Sequence, residues 1–271
     1  MSNLDNALDE LNNLQDSEII LLADAAEQQA QDTSTKIESG FSMLDECIDG
    51  GFREGDFTVI SGIPGEGKTT LARMFTLNFA NSGIPSLWFS YEMTKKELWD
   101  SFEKMGADKS LISFVPVELN DDYEWMVRHM AKAINEHGVK AIFIDTLGDV
   151  VKSVKSPNEL NNYATYLAQL CKDLRMFGIS NNVMIFAIAH AVKNTKSRSS
   201  ETDNSDIANS NGIAAAATNI FHVWRVEESK TIIKIGKSRR DGTKKNWRIK
   251  CDFLENKLVP LQSSGNADDL W

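Results

Sequence analysis

Cysteine is scarce in this sequence, and its placement excludes several classes of protein. Only Cys47, Cys171 and Cys251 occur among 271 residues, an odd and widely spaced set that is unlike the framework of a disulfide-rich domain. No CxxC pair and no cluster of cysteine with histidine suggests a metal site. Such sparing use of cysteine is typical of a reducing compartment.

A long hydrophobic run is also lacking. The longest apolar stretch, Val183–Ala189, is far shorter than the roughly 20 residues that a membrane-spanning helix needs. The N-terminus has no charged-then-apolar pattern of a secretory signal. With 42% hydrophobic and 25% charged residues, the composition is that of a globular protein with a real core. We therefore expect a cytoplasmic protein without a membrane partner.

Net positive charge is absent too, since the formal net charge is −10. Taken as an average, this value argues against a nucleic-acid partner, because polyanions attract basic surfaces. The acidity lies at the ends, however: residues 1–40 hold nine acidic side chains and one basic, and the last ten residues hold Asp268 and Asp269. Residues 230–250 carry nine Lys or Arg against one Asp, so the neutral body contains a basic strip.

Three regions follow from composition and periodicity. Residues 1–36 form an acidic helical extension and linker, because residues 3–30 lack Gly and Pro and place Leu4, Leu8 and Leu11 on one helical face. A helix that docks on a partner and a partly disordered tail are the two interpretations of this extension. Residues 37–261 form the main domain, and residues 262–271 form a flexible acidic tail.

The main domain is predicted to be α/β, with a mostly parallel sheet covered by helices on both faces. Apolar, β-prone runs alternate with helical stretches from residue 57 to residue 189, which is typical of such sheets. The predicted strands are Phe57–Ile60, Ser86–Phe89, Ile112–Val115, Ala141–Ile144 and Val183–Ala189. After Phe221, four short strand-like segments with turn signals such as Asp241-Gly242 predict antiparallel hairpins that extend the sheet.

The strongest motif is a phosphate-binding loop between the first predicted strand and a predicted helix. Gly62-Ile-Pro-Gly-Glu-Gly-Lys-Thr69 fits G-x-x-x-x-G-K-[ST] in full. Its glycines let backbone N–H groups turn toward phosphate oxygens, and the helix N-terminus adds positive charge. We assign ATP and Mg²⁺ as cofactors, with Lys68 on the phosphates and Thr69 on the metal. The nucleotide-binding residues are Gly62, Pro64, Gly65, Glu66, Gly67, Lys68, Thr69 and Thr70.

Three further polar residues follow predicted strands, where ligands bind in open α/β sheets. Asp145 ends an apolar strand and is assigned to Mg²⁺ together with Thr69. Glu92 stands just past Ser86–Phe89, the first predicted strand after the phosphate loop, where it can orient and deprotonate a water. His190 ends the last parallel strand and is assigned as a sensor of the terminal phosphate. Glu92, Lys68 and His190 are thus the predicted catalytic residues of this site.

The order of these motifs resembles the RecA-type ATPases, and within them the ring-forming replicative helicases of the DnaB, Twinkle and phage primase-helicase group. The resemblance covers about residues 37–260. It is carried by the phosphate loop, Asp145, the position of His190, and three further stretches: Gly40-Phe-Ser-Met-Leu-Asp45 with Gly51-Phe-Arg-Glu-Gly-Asp56, Phe89-Ser-Tyr-Glu-Met93, and Lys237-Ser-Arg239 with Asp241-Gly242.

This resemblance implies an ATP-dependent DNA helicase, a hexameric ring that translocates on single-stranded DNA in a bacterial or phage-infected cell. Lys237 and Arg239 would then enter the neighbouring subunit's nucleotide site as catalytic cations. The family's pore loops correspond to residues 148–162 and 191–212, so the DNA-binding residues implied are Lys152, Lys155, Lys193, Lys196 and Arg198. The N-terminal helix would pack on the adjacent subunit, and the tail is a candidate docking peptide for a replication partner.

Two other functions fit the same motifs. One is a strand-exchange recombinase of the same ATPase fold, which would form helical filaments on DNA. The other is a RecA-fold regulatory protein that binds ATP to control assembly and does not unwind DNA. Glu92-Met93 and the hairpin of Lys237 and Arg239 favour the helicase over the recombinase, whereas a lack of DNA-stimulated ATPase activity would favour the regulatory protein.

Overall fold

A computed structural model of the chain describes residues 21–23, 36–152, 163–191, 202–207 and 210–261. The chain divides into two compact units, residues 1–35 and residues 36–271, and the second contains the motifs of the predicted phosphate site. Its helices are α1 (Ser42–Cys47), α2 (Lys68–Asn81), α3 (Lys95–Glu103), α4 (Tyr123–His137), α5 (Leu147–Lys152), α6 (Tyr163–Ser180) and α7 (Ser210–Ala216). Within the described ranges no helix is both long and apolar enough to span a bilayer.

Nine strands of the described residues form one sheet in the order β3-β2-β4-β5-β1-β6-β7-β8-β9. They are β1 (Phe57–Gly62), β2 (Ser86–Ser90), β3 (Ser113–Phe114), β4 (Ala141–Asp145), β5 (Met184–His190), β6 (Asn219–Glu227), β7 (Lys230–Ser238), β8 (Arg248–Leu254) and β9 (Lys257–Pro260). The first six strands pair in parallel, and the last three continue the sheet as antiparallel hairpins. The predicted α/β architecture is therefore confirmed.

The helix boundaries follow from local capping chemistry. Helix α3 begins at a capping box in which Thr94 and Glu97 each bond the other's backbone N–H. Helix α4 begins at Asp122, whose carboxylate accepts from the N–H of Trp125, and ends at Gly138 with a left-handed φ of 64°. The short helices α1, α5 and α7 were not apparent in the sequence pattern, because each is a turn or two long.

The sheet separates two hydrophobic cores, which accounts for the near-continuous apolar runs of β1, β4 and β5. One core contains the inward faces of α4, α5, α6 and α7. The other contains α1, α2 and α3 and is rich in phenylalanine. Phe52 lies at its centre, with its ring centroid 4.9 Å from that of Phe186 and 5.3 Å from that of Phe75. Burial on both faces fixes the strands that carry the polar residues of the site.

A buried ion pair lies at the edge of the sheet where the parallel strand β1 begins. Asp56 is 1% exposed, and its carboxylate accepts from Nη1 of Arg240 at 2.5 and 2.6 Å and from the backbone N–H of Arg53 at 2.9 Å. Burial raises the pKa of Asp56, while the charge of Arg240 opposes that rise. The pair joins the segment after β7 to the start of β1.

Replacing Arg240 by methionine is expected to lower the free energy of unfolding by about 3–5 kcal/mol, because a buried carboxylate is left without its counter-charge. Urea unfolding followed by circular dichroism measures this change. The control is Arg128→Met, which removes the same side chain from an exposed pair with Glu124 at 3.9 Å and is expected to have little effect. Equal losses in the two variants would contradict the prediction.

Candidate active site

The phosphate loop connects β1 to α2, and its glycines meet specific steric demands. Gly67 caps α2 with a φ of 101°, a left-handed conformation that side chains disfavour. A Cβ at Gly62 would lie 2.2 Å from the carbonyl oxygen of Val223 on β6. The loop therefore packs directly on the neighbouring strand, and only glycine fits at its first position.

Lys68 lies within this loop and is almost fully buried. It is 5% exposed, and its ammonium donates to the carbonyl oxygen of Ile63 at 3.0 Å. Burial lowers the pKa of Lys68, and the charges of Glu92, Asp145 and Glu66 oppose that shift. Lys68 therefore lies among three carboxylates around the loop.

Asp145 ends β4 beside the first turn of α2. Its Oδ2 accepts from the hydroxyl of Thr69 at 3.0 Å, while its Oδ1 is buried without a hydrogen-bond partner. Burial, followed by the charge of Glu92, raises the pKa of Asp145 to about 6. A carboxylate oxygen with no partner, next to a hydroxyl, is a donor set that suits Mg²⁺.

Glu92 and His190 lie in contact at the same edge of the sheet. Nε2 of His190 is 2.8 Å from Oε1 of Glu92, and the two side chains are 38% and 41% exposed. Strand register explains this proximity: His190 pairs with Gly62 across β5 and β1, and Ser90 pairs with Asp145 across β2 and β4. The carboxyl ends of these four strands therefore meet around the phosphate loop.

Two features of this edge were missed by sequence reasoning. Arg73 lies four residues after Thr69 on α2, donates to the Thr69 carbonyl and the Thr70 hydroxyl, and interacts electrostatically with Asp145. Helical spacing could have suggested it, since residues four apart share a face. The second is the pairing of the Arg225 guanidinium with Phe253, whose ring centroid lies 5.4 Å away; the two residues are on different strands, so no local motif places them together.

Arg225 also connects the antiparallel strands to the phosphate loop. Its backbone N–H donates to the carboxylate of Glu66. Glu66 is one of the variable positions of the loop motif, and this hydrogen bond connects it to the end of β6. The Arg225 and Phe253 pair consequently lies next to the loop, where it offers a flat face beside the nucleotide-binding residues.

Lys237 and Arg239 lie at the other edge of the parallel strands. Lys237 donates to the carbonyl of Ala214, and Arg239 donates to those of Ala215 and Ala217, the last at 3.0 Å. The N–H of Arg239 bonds Thr218, whose own N–H bonds Phe57 at the start of β1. Since β1 is six residues long, about 20 Å of strand separates Arg239 from its own phosphate loop. Lys237 pairs with Ile220, which pairs with Val59, so about 10 Å of β1 separates the level of Lys237 from that loop.

The predicted DNA-binding residues lie mostly outside the described residues, namely Lys155, Lys193, Lys196 and Arg198. Lys152 ends helix α5, so the first predicted loop starts with a helix. The second loop leaves the sheet directly after His190, and an antiparallel bridge between Ala191 and Ile207 closes its base. The loop base is therefore adjacent to the contact of Glu92 and His190.

The described residues contain no group of three or more His, Cys, Asp or Glu side chains able to hold a metal ion by themselves. A magnesium ion at Asp145 and Thr69 would accordingly depend on phosphate oxygens for its remaining ligands, which is how Mg²⁺ is usually held with nucleotides. The donors present therefore fit a metal that is held together with a polyphosphate.

The curated proteins that resemble the chain include circadian clock proteins and a replicative DNA helicase. The chain is 28% identical over 139 residues to the circadian clock protein KaiC2 of Synechocystis sp., covering 45% of this chain and 24% of that protein. It is 25% identical over 228 residues to the replicative DNA helicase DnaB of Mycoplasma genitalium, covering 72% of this chain and 47% of that protein. The chain thus spans less than half the length of either relative.

Solved structures with the same fold include an ATPase domain and a replicative helicase. The ATPase domain of G40P matches with a TM-score of 0.71 at 17% identity, covering 97% of this chain and 100% of that domain. A DnaB-like replicative helicase, solved in a study of its interactions with primase, matches with a TM-score of 0.70 at 16% identity, covering 96% of this chain and 71% of that protein. These matches establish a shared fold.

The decisive comparison is with protein families. The family model described as "ATPase: KaiC" matches residues 37–247, a range that includes the phosphate loop, Glu92, Asp145, His190 and Arg239. Because this match covers most of the chain, the chain belongs to the KaiC family of ATPases and has the RecA-like fold of DnaB-type helicase domains.

Proposed function

We propose that the chain is the ATP-hydrolysing subunit of a ring, of the replicative helicase type, that moves along single-stranded DNA. One observation carries the proposal. Lys68, Thr69, Asp145, Glu92 and His190 converge at one edge of the sheet, while Lys237 and Arg239 lie at the opposite edge. A chain with this arrangement supplies a nucleotide site at one end and cations for another copy's site at the other.

In the proposed site, the loop N–H groups and Lys68 bind the phosphates, and Thr69 and Asp145 hold Mg²⁺. The unpartnered Oδ1 of Asp145 supports this assignment. Bound Mg²⁺ would neutralise phosphate charge and so favour attack at the terminal phosphorus. Arg225 and Phe253 lie on the side of Glu66 and are the groups that a nucleotide base would contact.

Glu92 is the proposed base that orients the attacking water. His190 holds its carboxylate at 2.8 Å and is well placed to report a change at Glu92 to the loop that begins at Ala191. Release of Glu92 from His190 when the terminal phosphate binds would thereby link hydrolysis to the proposed DNA-binding loop.

Glu92→Gln is expected to lower kcat by about 10²–10⁴-fold, because the amide keeps the shape of the side chain but accepts no proton. Nucleotide affinity, measured by fluorescence titration, is expected to stay within about twofold of wild type. The control is Glu97→Gln on α3, in the capping box with Thr94, which is expected to leave kcat unchanged. An active Glu92→Gln variant would remove Glu92 from the proposed role.

The Mg²⁺ dependence of the ATPase is expected to change with pH. The pKa of Asp145 is about 6, and Mg²⁺ binds the ionised carboxylate. Above pH 6 the group is charged and ready, whereas below pH 6 protons compete with the metal, so the half-saturating Mg²⁺ concentration rises by up to roughly tenfold per pH unit. Asp145→Asn removes the carboxylate, so the Mg²⁺ binding that remains is the contribution of the nucleotide's own phosphates. The same pH dependence in this variant as in wild type would contradict the assignment.

The DNA-binding part of the proposal rests on the position of the loop that follows His190 and on the charges of Lys152, Lys155, Lys193, Lys196 and Arg198. Such side chains suit contacts with phosphates that do not depend on base sequence. Six copies of each loop in one ring would concentrate modest charge in a central channel. Weak and salt-sensitive binding by isolated protomers is the corresponding expectation.

A second candidate function is favoured by the family match itself. The chain belongs to the KaiC family, and an ATPase that drives assembly without unwinding DNA would use the same nucleotide site. A forked DNA duplex with 5′ and 3′ single-stranded tails, incubated with ATP and Mg²⁺, separates the candidates. The helicase proposal expects strand separation on one tail polarity. ATPase activity that single-stranded DNA does not stimulate, with the fork left intact, would favour the assembly function.

A strand-exchange recombinase is the third candidate, and electron microscopy distinguishes it from a helicase. A helicase of this type would give closed rings on single-stranded DNA, whereas a recombinase would give continuous helical filaments. The proposed packing of residues 3–30 on the adjacent subunit is tested by deleting that segment and measuring ring formation, whereas Asp268–Trp271 is a proposed docking peptide for a replication partner.

A further inference from the structure

Three cations lie together at the edge of the sheet where the parallel strands begin. Lys237 is at the end of β7, Arg239 directly follows it, and Arg175 is in the last turns of α6. Helix α6 ends at this edge, since Ile179 packs against Gly55 just before β1. Lys237 and Arg239 bond the carbonyls at the end of α7, whereas Nε of Arg175 is buried without a hydrogen-bond partner.

The electrostatics of this group show that the positive charges act on one another. Burial, then the charge of Arg239, then that of Arg175 lower the pKa of Lys237 to about 8. Burial and then Arg175 also lower the pKa of Arg239. In the part of the chain that the structure describes, no carboxylate is ion-paired with any of the three. Like charges held together with little counter-charge favour the binding of an anion.

We propose that Arg175, Lys237 and Arg239 form one anion site, in which Arg175 is a third cation for the terminal phosphate of a nucleotide held by a second copy of this chain. The inference rests on the proposed function and extends it by one residue on a different element. Arg175 belongs to α6, so the site would combine a helix with the hairpin that carries Lys237 and Arg239.

A terminal phosphate matches three cations better than a phosphodiester does. It carries close to two negative charges near pH 7 and presents three peripheral oxygens, whereas a phosphodiester of DNA carries one charge and two free oxygens. Guanidinium groups bind such oxygens through paired N–H donors. Along β1, the phosphate loop of the same chain lies about 20 Å from Arg239 and about 10 Å from Lys237. Both distances exceed the reach of a hydrogen bond, so the phosphate must come from another copy.

The Asp56–Arg240 pair supports the geometry of this site. Arg240 follows Arg239 directly and is held by a buried carboxylate at 2.5 Å, which fixes the backbone that carries Arg239. Arg175 and the hairpin are both tied to the start of β1, one through α6 and Gly55, the other through Asp56. The three cations are therefore presented on a rigid edge rather than on free side chains of a loop.

The first test compares Arg175→Met and Arg175→Gln with Lys172→Met, which removes one positive charge from an exposed position of the same helix. At concentrations where wild type is assembled, both Arg175 variants are expected to lose about 10–10²-fold in ATPase kcat. Nucleotide Kd and thermal midpoint should stay close to wild type, Arg175→Lys should retain most of the activity, and Lys172→Met should be unaffected. Wild-type kcat in Arg175→Met would overturn the proposal.

The second test distinguishes action on a second copy from action within one chain. Arg175→Met has an intact phosphate loop, and Lys68→Ala has an intact cation site. A mixture of the two is therefore expected to recover activity at interfaces where Arg175→Met supplies the phosphate loop and Lys68→Ala supplies the cations. Mixing that restores nothing would overturn the proposal. Loss of DNA affinity in Arg175→Met with an unchanged DNA-independent ATPase rate would also overturn it, because the anion would then be a DNA phosphate.

A wrong proposed function and a wrong role for Arg175 give different results. If wild type has no ATPase activity at any concentration, the proposed function itself is wrong. If wild type is active and Arg239→Ala is inactive while Arg175→Met keeps the wild-type rate, only the role of Arg175 is wrong.

Discussion

Lys68→Ala is expected to lower the ATPase rate by roughly 10²–10³-fold or more, through loss of the cation that contacts the phosphates. Lys68 is 5% exposed and lies among Glu92, Asp145 and Glu66. Removing its charge leaves these three carboxylates facing the phosphates without compensation. Nucleotide affinity should therefore fall together with kcat, which a fluorescent ATP analogue and a phosphate-release assay measure separately.

The matched control is Lys96→Ala, because Lys96 is exposed and pairs with Asp100 one turn along α3. It removes the same side chain and is expected to leave both affinity and rate unchanged. Lys68→Arg gives a second comparison, since it keeps the charge in a bulkier group that the tight loop cannot accommodate. A Lys68→Ala variant with wild-type turnover would show that the phosphate loop is not the site of hydrolysis.

Arg239→Ala is expected to abolish most ATPase activity while leaving nucleotide binding nearly intact. A cation that enters a neighbouring site stabilises charge in the transition state and is worth about 10³–10⁵-fold in rate. Arg239 is about 20 Å along β1 from its own phosphate loop, so its loss cannot act on the nucleotide of the same chain. A fall in kcat with unchanged Kd is the expected pattern.

Local structure is the competing explanation for any loss in Arg239→Ala. Arg239 donates to the carbonyls of Ala215 and Ala217, so its removal also frees the end of α7. Arg239→Lys retains one donor and the charge, and thermal unfolding of both variants reports the structural part. If Arg239→Ala loses activity in step with its loss of stability, and Arg239→Lys is as stable and as active as wild type, Arg239 has a structural role.

The sequence predicted the parallel part of the fold and the phosphate site because their signals are local. Buried strands are continuous apolar runs, and the loop between β1 and α2 requires glycine at fixed positions. Asp145, Glu92 and His190 were found because parallel strands end at one edge, so a polar residue at each end meets the others. The hydrogen bond between Glu92 and His190 joins residues that are 98 apart in sequence, and strand order brings them together.

The remaining features depend on contacts that no motif encodes. The Asp56–Arg240 pair spans 184 residues, and Arg175 lies near Lys237 only because α6 and β7 end at the same edge of the sheet. The short helix α7 supplies the carbonyls that Lys237 and Arg239 bind, and its seven residues give little periodicity. These parts of the molecule follow from the tertiary arrangement, which the pattern of a single segment cannot specify.

Dependence of each nucleotide site on another copy is measured by the ATPase rate per protomer as a function of protein concentration, with and without a single-stranded oligonucleotide. The rate is expected to rise with concentration as copies assemble, because each site needs the cations of another copy, and to rise further with DNA. A full rate per protomer in dilute samples verified as monomeric, with no effect of DNA, would contradict this dependence.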